Sequence, residues 1–245
     1  MDALQLSNIA MHLLRNPFVR VLALVWMAAA LLACSAEPQE RKAFITLLQT
    51  RILDKSDGTY PILTAEDKKQ LGETYAQQYA IIQDFNQSLN KSVGKPAQEL
   101  IRKSSFSTIG DVLKRRDDLK TLQTAVKDLQ GTLDQELAKA DAAHAALKQP
   151  EDLKAVYDKA YAKTVTNPAT AFKDTFPALD AMFDSVNKVA DFVEANKGKV
   201  KISGMMLEVT DPKLHQQLNG LLNDLNTKGR SLNDAQNKLL KAVRG

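Results

Sequence analysis

The run LKTLQTAVKDLQGTLDQELAKADAAHAAL, residues 119–147, decides the fold class. Leu119, Leu122, Val126, Leu129, Leu133, Glu136, Ala140, Ala143 and Leu147 follow one another at alternating steps of three and four. That spacing draws one apolar seam along a helix, with Glu136 as its polar lapse. The alanines late in the seam let a neighbouring helix approach closely. A second seam near the C-terminus comprises Leu214, Leu218, Leu221, Leu225, Lys228, Leu232, Ala235, Leu239 and Ala242. Joined within one chain, the two seams make a left-handed antiparallel bundle. Joined between chains, they make an oligomer. Each seam is only about four heptads long, which favours the internal pairing and a monomer.

Working outward, the same period recurs. Glu37 to Leu53 places Phe44, Leu47, Leu48 and Ile52 on one stripe, ended by turn signals at Asp57-Gly58 and Tyr60-Pro61. Thr64 is an N-cap, and Glu66 and Asp67 suit the positive end of a helix running to about Asn90. Ser92-Val93-Gly94-Lys95-Pro96 reads as a loop, followed by a weaker helix and a break over Ser104 to Thr108. Pro150-Glu151-Asp152 opens a helix to about Thr164. Asn167-Pro168 opens another, running to Asn196 and stopped by Gly198, with a kink expected near Thr175 because Pro177 lies inside it. Lys199-Val200-Lys201-Ile202 alternates polar and apolar, Ser203-Gly204 offers a turn, and Met205 to Val209 completes a short hairpin. Met205, Met206 and Leu207 project from it as a contact surface, or else cover one end of the bundle. Asp211 and Pro212 cap the last helix. The expected fold is all-α: an elongated antiparallel helical bundle with coiled-coil-like seams and one small β-hairpin near 199–209.

The N-terminus carries an address. Arg15 and Arg20 form a basic leader, Val21 to Ala33 is apolar and uncharged, and Leu31-Leu32-Ala33-Cys34 closes it before the chain turns polar at Ser35-Ala36-Glu37-Pro38. That order is a secretory signal, and its ending looks like the lipobox of bacterial lipoproteins. A helix over 21–33 would span about 20 Å, against a hydrocarbon core of about 30 Å, so it is too short for a retained membrane span. The expected organisation is a signal peptide over 1–33, a lipidated tether over 34–40 and a single helical domain over 41–245. Met11 is an alternative translation start. Cys34, the sole cysteine, is the lipidation site, carrying diacylglycerol and an N-terminal acyl chain such as palmitate. One acyl chain holds a protein only marginally, with an association constant of about 10⁴ M⁻¹, whereas several hold it stably. Ser35, in place of Asp, matches the outer-membrane sorting pattern. The expected location is the cell envelope, in the inner leaflet of the outer membrane rather than the inner membrane.

Cleavage would remove Asp2, Arg15 and Arg20 and take the formal charge from +4 to +3. So balanced a chain is not a nucleic-acid binder, which needs a concentrated basic face. With one cysteine there is no disulfide and no thiolate metal site. His144 stands three residues after Asp141 and His215 four after Asp211, spacings that share a helix face. Each pair reads as a solvated helical ion pair, since a metal site needs three or four ligands. Glu66-Asp67, Asp117-Asp118 and Glu151-Asp152 are neighbours that do not face one another on a helix. No nucleophile elbow, phosphate loop or zinc-helix motif occurs. The expectation is a protein that is not an enzyme, with no cofactor and no metal.

Arg41-Lys42-Ala43-Phe44-Ile45, Leu63-Thr64-Ala65 with Lys68-Lys69-Gln70, and Asp141-Ala142-Ala143-His144-Ala145-Ala146-Leu147-Lys148-Gln149 together carry a likeness. Asp152-Leu153-Lys154 through Val165-Thr166-Asn167-Pro168 extends it. In these words the chain resembles the YiaF-like lipoproteins of enterobacteria, domain of unknown function 3053. The resemblance covers most of the chain after Cys34, with departures around Arg102 to Arg116. It implies a lipoprotein and supplies no catalytic residue.

Three functions fit, of which the first is the expected one and the other two are alternatives. The first is a non-catalytic accessory or binding protein that faces the periplasm and contacts an envelope protein. The second is a carrier with an apolar pocket between helices for a lipid or small amphiphile. The third is a homo-oligomeric or cell-wall-associated spacer built on the heptads. In all three the membrane is the partner reached through the N-terminal lipid. The tether Ser35 to Gln39 extends about 17 Å, and Arg41 and Lys42 follow it.

Overall fold

The structure is a computed structural model that describes residues 36–56, 59–103, 106–204 and 206–244. The expected leader over 1–33, Met11, Cys34 and Ser35 lie outside the described residues, as do Asp57, Gly58, Ser104, Ser105 and Met205. Residues 36–48 form helix α1, which widens into a π-helical turn at Gln49–Leu53. Helix α2 spans Ala65–Leu89, α3 Lys95–Lys103, α4 Ile109–Lys114 and α5 Arg116–Ala145. Then come α6 at Glu151–Tyr161, α7 at Asn167–Lys173 and α8 at Thr175–Ala195. Strands β1, Val200–Ser203, and β2, Met206–Val209, precede the last helix, α9, at Pro212–Arg244. The protein is an all-α helical bundle with one small hairpin.

Local chemistry starts these helices where the sequence places the signals. Thr64 and Asp67 form a reciprocal cap: the Asp67 amide donates to Thr64 Oγ1 at 3.1 Å and the Thr64 amide to Asp67 Oδ2 at 2.8 Å. Asp211 Oδ1 accepts from the amides of Lys213 and Leu214, which caps α9. Thr108 and Asp111 make a further capping box at α4, unforeseen from sequence. The chain breaks at Asp174, just before α8, as Pro177 predicts.

Two expected breaks are absent. Ser92 to Pro96 is helical, because a π-helical turn at Asn90–Gly94 leads directly into α3. Likewise α6 continues through a π-helical turn at Ala162–Thr166 into α7. In both places a proline, Pro96 or Pro168, sits two residues beyond the turn. The wide turn re-pairs the backbone where proline lacks an N–H and crowds the carbonyl four residues back. For Pro168 that carbonyl belongs to Thr164, and Asn86 Nδ2 donates to it at 3.2 Å.

The described residues fall into two compact units. One consists of the described residues up to Leu47 with Leu63–Ala76. It buries Phe44, Leu47, Leu63, Leu71 and Tyr75, with the Phe44 and Tyr75 rings 5.4 Å apart. The other consists of Leu48–Ile62 and Gln77–Gly245. Its core includes Ile52, Tyr79, Ile82, Leu133, Leu153, Tyr157 and Val165. Two of its buried phenols find backbone acceptors: Tyr79 Oη donates to the Pro61 carbonyl at 2.6 Å and Tyr157 Oη to the Gln78 carbonyl at 2.7 Å.

Within this second unit the heptads behave as helical seams. Leu119, Val126, Leu133 and Ala140, seven residues apart, are the buried positions of α5. Arg116 pairs with Asp191 at 2.7 Å and Asp134 with Lys173 at 2.6 Å, so α5 runs antiparallel to the α7–α8 segment. Helix α9 returns along α8 and α7, with buried Ser185 donating to Asp224 Oδ2 at 2.8 Å. Lys228, the polar lapse of the second seam, reaches Asp224 Oδ1 at 3.8 Å. The two seams were expected to zip onto each other. Instead α9 packs on α7 and α8, and Leu119, Leu122 and Leu129 of the first seam and Leu225, Leu232 and Leu239 of the second face a space between the helices.

Candidate functional site

That space is an apolar cavity of about 740 Å³ within the second unit. Leu119, Leu122, Val126 and Leu129 of α5 form one wall, and Phe176, Leu179, Phe183 and Val186 of α8 form another. Leu222, Leu225, Leu232 and Leu239 of α9 form the third. Leu100 and Ile101 of α3, Phe106, Ile109 and Val112 of the α4 region, and Leu207 of β2 close one end. Phe172 sits toward the other end, its ring stacked 5.5 Å from that of Phe176.

The shape follows from helical rise. The α9 wall extends from Leu222 to Leu239, which at about 1.5 Å per residue is about 26 Å. An acyl chain reaches about 15 Å in one leaflet, half of a core about 30 Å thick, so the cavity accommodates it at full length.

The lining chemistry is uniform. Among the described residues no charged side chain lines the cavity, and the polar lining residues are Ser107, Thr108, Thr175 and Gln236. Two of these engage the backbone through their hydroxyls: Thr108 Oγ1 accepts from the Asp111 amide and Thr175 Oγ1 donates to the Phe172 carbonyl at 2.7 Å. The main-chain amides of Ser107 and Thr108 donate to Asp111 Oδ2 at 3.1 and 2.9 Å. The Thr108 side chain first, then the Ser107 and Thr108 amides, hold the Asp111 carboxyl below the usual range for aspartate. Such a wall offers hydrocarbon about 0.8 kcal/mol per methylene removed from water and offers an unpaired charge nothing.

His144 and His215 stand apart from this cavity. His144 and Asp141 do share a face of α5, but each reaches across to α6 rather than to the other. His144 Nε2 lies 2.8 Å from Asp158 Oδ1 and its ring stacks 4.1 Å from Tyr161. Asp141 accepts the Tyr161 hydroxyl proton at 2.7 Å. Burial raises the Asp158 carboxyl, yet hydrogen bonds from Lys154 and His144 outweigh it and leave that group below its ordinary range. The Tyr161 hydroxyl is pushed up by burial and by the Asp141 bond. This cluster ties α5 to α6. His215 Nδ1 meets Asn219 at 3.3 Å, while the Asp211 side chain is spent on its cap. Among the described residues no group of three His, Cys, Asp or Glu side chains is arranged to hold a metal ion, and no helix is long and apolar enough to cross a membrane.

Sequence spacing exposed the leucines but not the cavity. A detectable signal was present in the aromatic density of Phe172, Phe176 and Phe183 beside two unspent leucine seams.

The molecule is thus of a definite class, a helical bundle whose seams enclose a hydrocarbon-lined cavity. Its lineage agrees with the words at Arg41 to Ile45 and Asp141 to Gln149. The chain belongs to the family described as "Protein of unknown function (DUF3053)", whose profile matches residues 21–240. It is 29% identical over 216 residues to the "Uncharacterized protein YiaF" of Escherichia coli strain K12, covering 87% of this chain and 91% of that one. The YiaF of Shigella flexneri is similar to the same extent. No solved structure matches the chain.

Proposed function

We propose that this protein is a lipid-anchored envelope protein that holds the hydrocarbon part of an amphiphile in its helical cavity. The observation that carries the reading is the charge-free space of about 740 Å³, walled by leucine, valine and phenylalanine from α5, α8 and α9. Its volume lies within the range of about 300–1,000 Å³ typical of small-molecule sites. Its length suits a single extended chain better than a compact ligand. The role is binding rather than catalysis, since the hydroxyls of Thr108 and Thr175 serve the backbone and no lining side chain is a general base. The anchor reading is supported by the lipobox-like ending at Cys34, and the outer-membrane reading by Ser35 standing in place of Asp. Accessory or spacer roles receive no comparable support from the fold.

Native mass spectrometry of the full chain purified from its membrane tests the cavity. Bound lipid is expected, and Leu225→Trp, which narrows the space, is expected to reduce the amount bound while the helical circular-dichroism signal is kept. A parent protein that carries no lipid, or a narrowed variant that carries as much as the parent, overturns the reading.

A further inference from the structure

The end of the cavity that α3 and the hairpin close is the least covered part of its wall. Ile101 lines the cavity and is nevertheless 76% exposed. On the hairpin, Met206 is 65% and Ile202 40% exposed. The register pairs Ile202 with Leu207 and Ser203 with Met206, so Ile202 shares a face with the cavity-lining Leu207 and Met206 projects from the opposite face. Ile202 also leans on α4: its Cγ2 lies 3.6 Å from where a Cβ on Gly110 would stand. Ile101, Ile202 and Met206 are three of the six large apolar side chains exposed among the described residues, and all three belong to the elements at this mouth. Gly204, with φ of 61°, turns the hairpin tip between them.

Charge is gathered on the same elements. Segments 95–103 and 197–211 hold Lys95, Arg102, Lys103, Lys197, Lys199 and Lys201 against Glu99, Glu208 and Asp211. Glu194, just before the second segment, pairs with Lys197 at 3.0 Å, which leaves a surplus of two positive charges, half of the formal +4 of the whole chain. Exposed hydrocarbon flanked by cations is complementary to a bilayer whose acyl chains lie beneath anionic headgroups. A soluble protein partner would ask for a flatter, paired surface, whereas a cavity filled with hydrocarbon needs a route that keeps its cargo out of water.

We infer that the hairpin and the end of α3 dock on an anionic lipid surface, so that the cavity opens into the bilayer. The inference rests on the lipid-holding reading above. It is tested in the full chain by placing tryptophan at Met206 (Met206→Trp) and, as a control, at the exposed Asp128 of α5 (Asp128→Trp), with the emission of the parent chain subtracted. Each protein is reconstituted into vesicles of phosphatidylethanolamine and phosphatidylglycerol whose acyl chains carry bromine, a quencher confined to the hydrocarbon. Emission from Met206→Trp is expected to be quenched while that from Asp128→Trp is not. Adding Lys199→Gln and Lys201→Gln should weaken the docking equilibrium about fivefold per charge. Equal emission from the two positions overturns the inference, as does a mouth protected by a second copy or another protein instead of lipid. Native mass spectrometry keeps the two ideas apart: bound lipid with an unquenched Met206→Trp sinks the docking alone. An empty cavity with a quenched Met206→Trp sinks the lipid-holding reading and supports the docking.

Discussion

Gly72 interrupts α2 with φ of 67° and ψ of 172°, a region that side chains all but forbid. A Cβ there would also run into the carboxylate of Glu40. Gly72→Ala is expected to destabilise the protein by about 1–3 kcal/mol, read as a lower urea midpoint at unchanged slope. An unshifted midpoint would show that the backbone relaxes at no cost. At this scale the sequence is legible only in part. Thr64 and Asp211 announced their caps, since a cap uses groups two or three residues away. The partners of His144 and Asp141 lie 14 and 20 residues further on, at Asp158 and Tyr161, and no helical spacing within α5 points to them.

Among the elements, the three π-helical turns carry the difference between local reading and folded chain. Pro96 and Pro168 read as interruptions because proline ends an isolated helix. Here each follows a widened turn, and the groups left over are met from elsewhere. Asn86 serves the Thr164 carbonyl, and Lys163 Nζ donates to the carbonyls of Ile52 at 3.0 Å and Leu53 at 3.2 Å as well as to that of Lys55. The turns at Gln49–Leu53 and Ala162–Thr166 thus support each other. Asn86→Leu removes the donor to Thr164 and should cost about 1–3 kcal/mol, because a buried carbonyl then loses its partner. Thermal denaturation of that variant beside Asn86→Gln checks it; equal melting of Asn86→Leu and the parent would mean that water replaces the amide. The hairpin, in contrast, was legible in full over the residues described: alternation in 199–202 and a glycine turn are local facts.

For the whole molecule the cavity dominates. A ligand present at a hundred times its dissociation constant stabilises the folded state by about 2.7 kcal/mol. For a chain of this size each kcal/mol moves the melting temperature by about 2–4 °C. Stripping bound lipid from the second unit should therefore lower its melting temperature by about 5–10 °C, and adding back a long-chain amphiphile should restore it in calorimetry. A melting temperature indifferent to lipid would mean that the walls of α5, α8 and α9 close on themselves.

Helical period, caps and hairpin are properties of neighbours along the chain, so composition and spacing determined an all-α protein with one hairpin, and the family likeness rests on particular words such as Asp141 to Gln149. Which surface each seam meets is a property of distant segments. In the tertiary structure α9 lies on α7 and α8 instead of α5, with Ser185 donating to Asp224, and Phe172, Phe176 and Phe183 line the space together with leucines of both seams. Burying apolar area is non-directional and does not say against what. Only the arrangement of helices decided that two leucine seams would enclose a space rather than fill it.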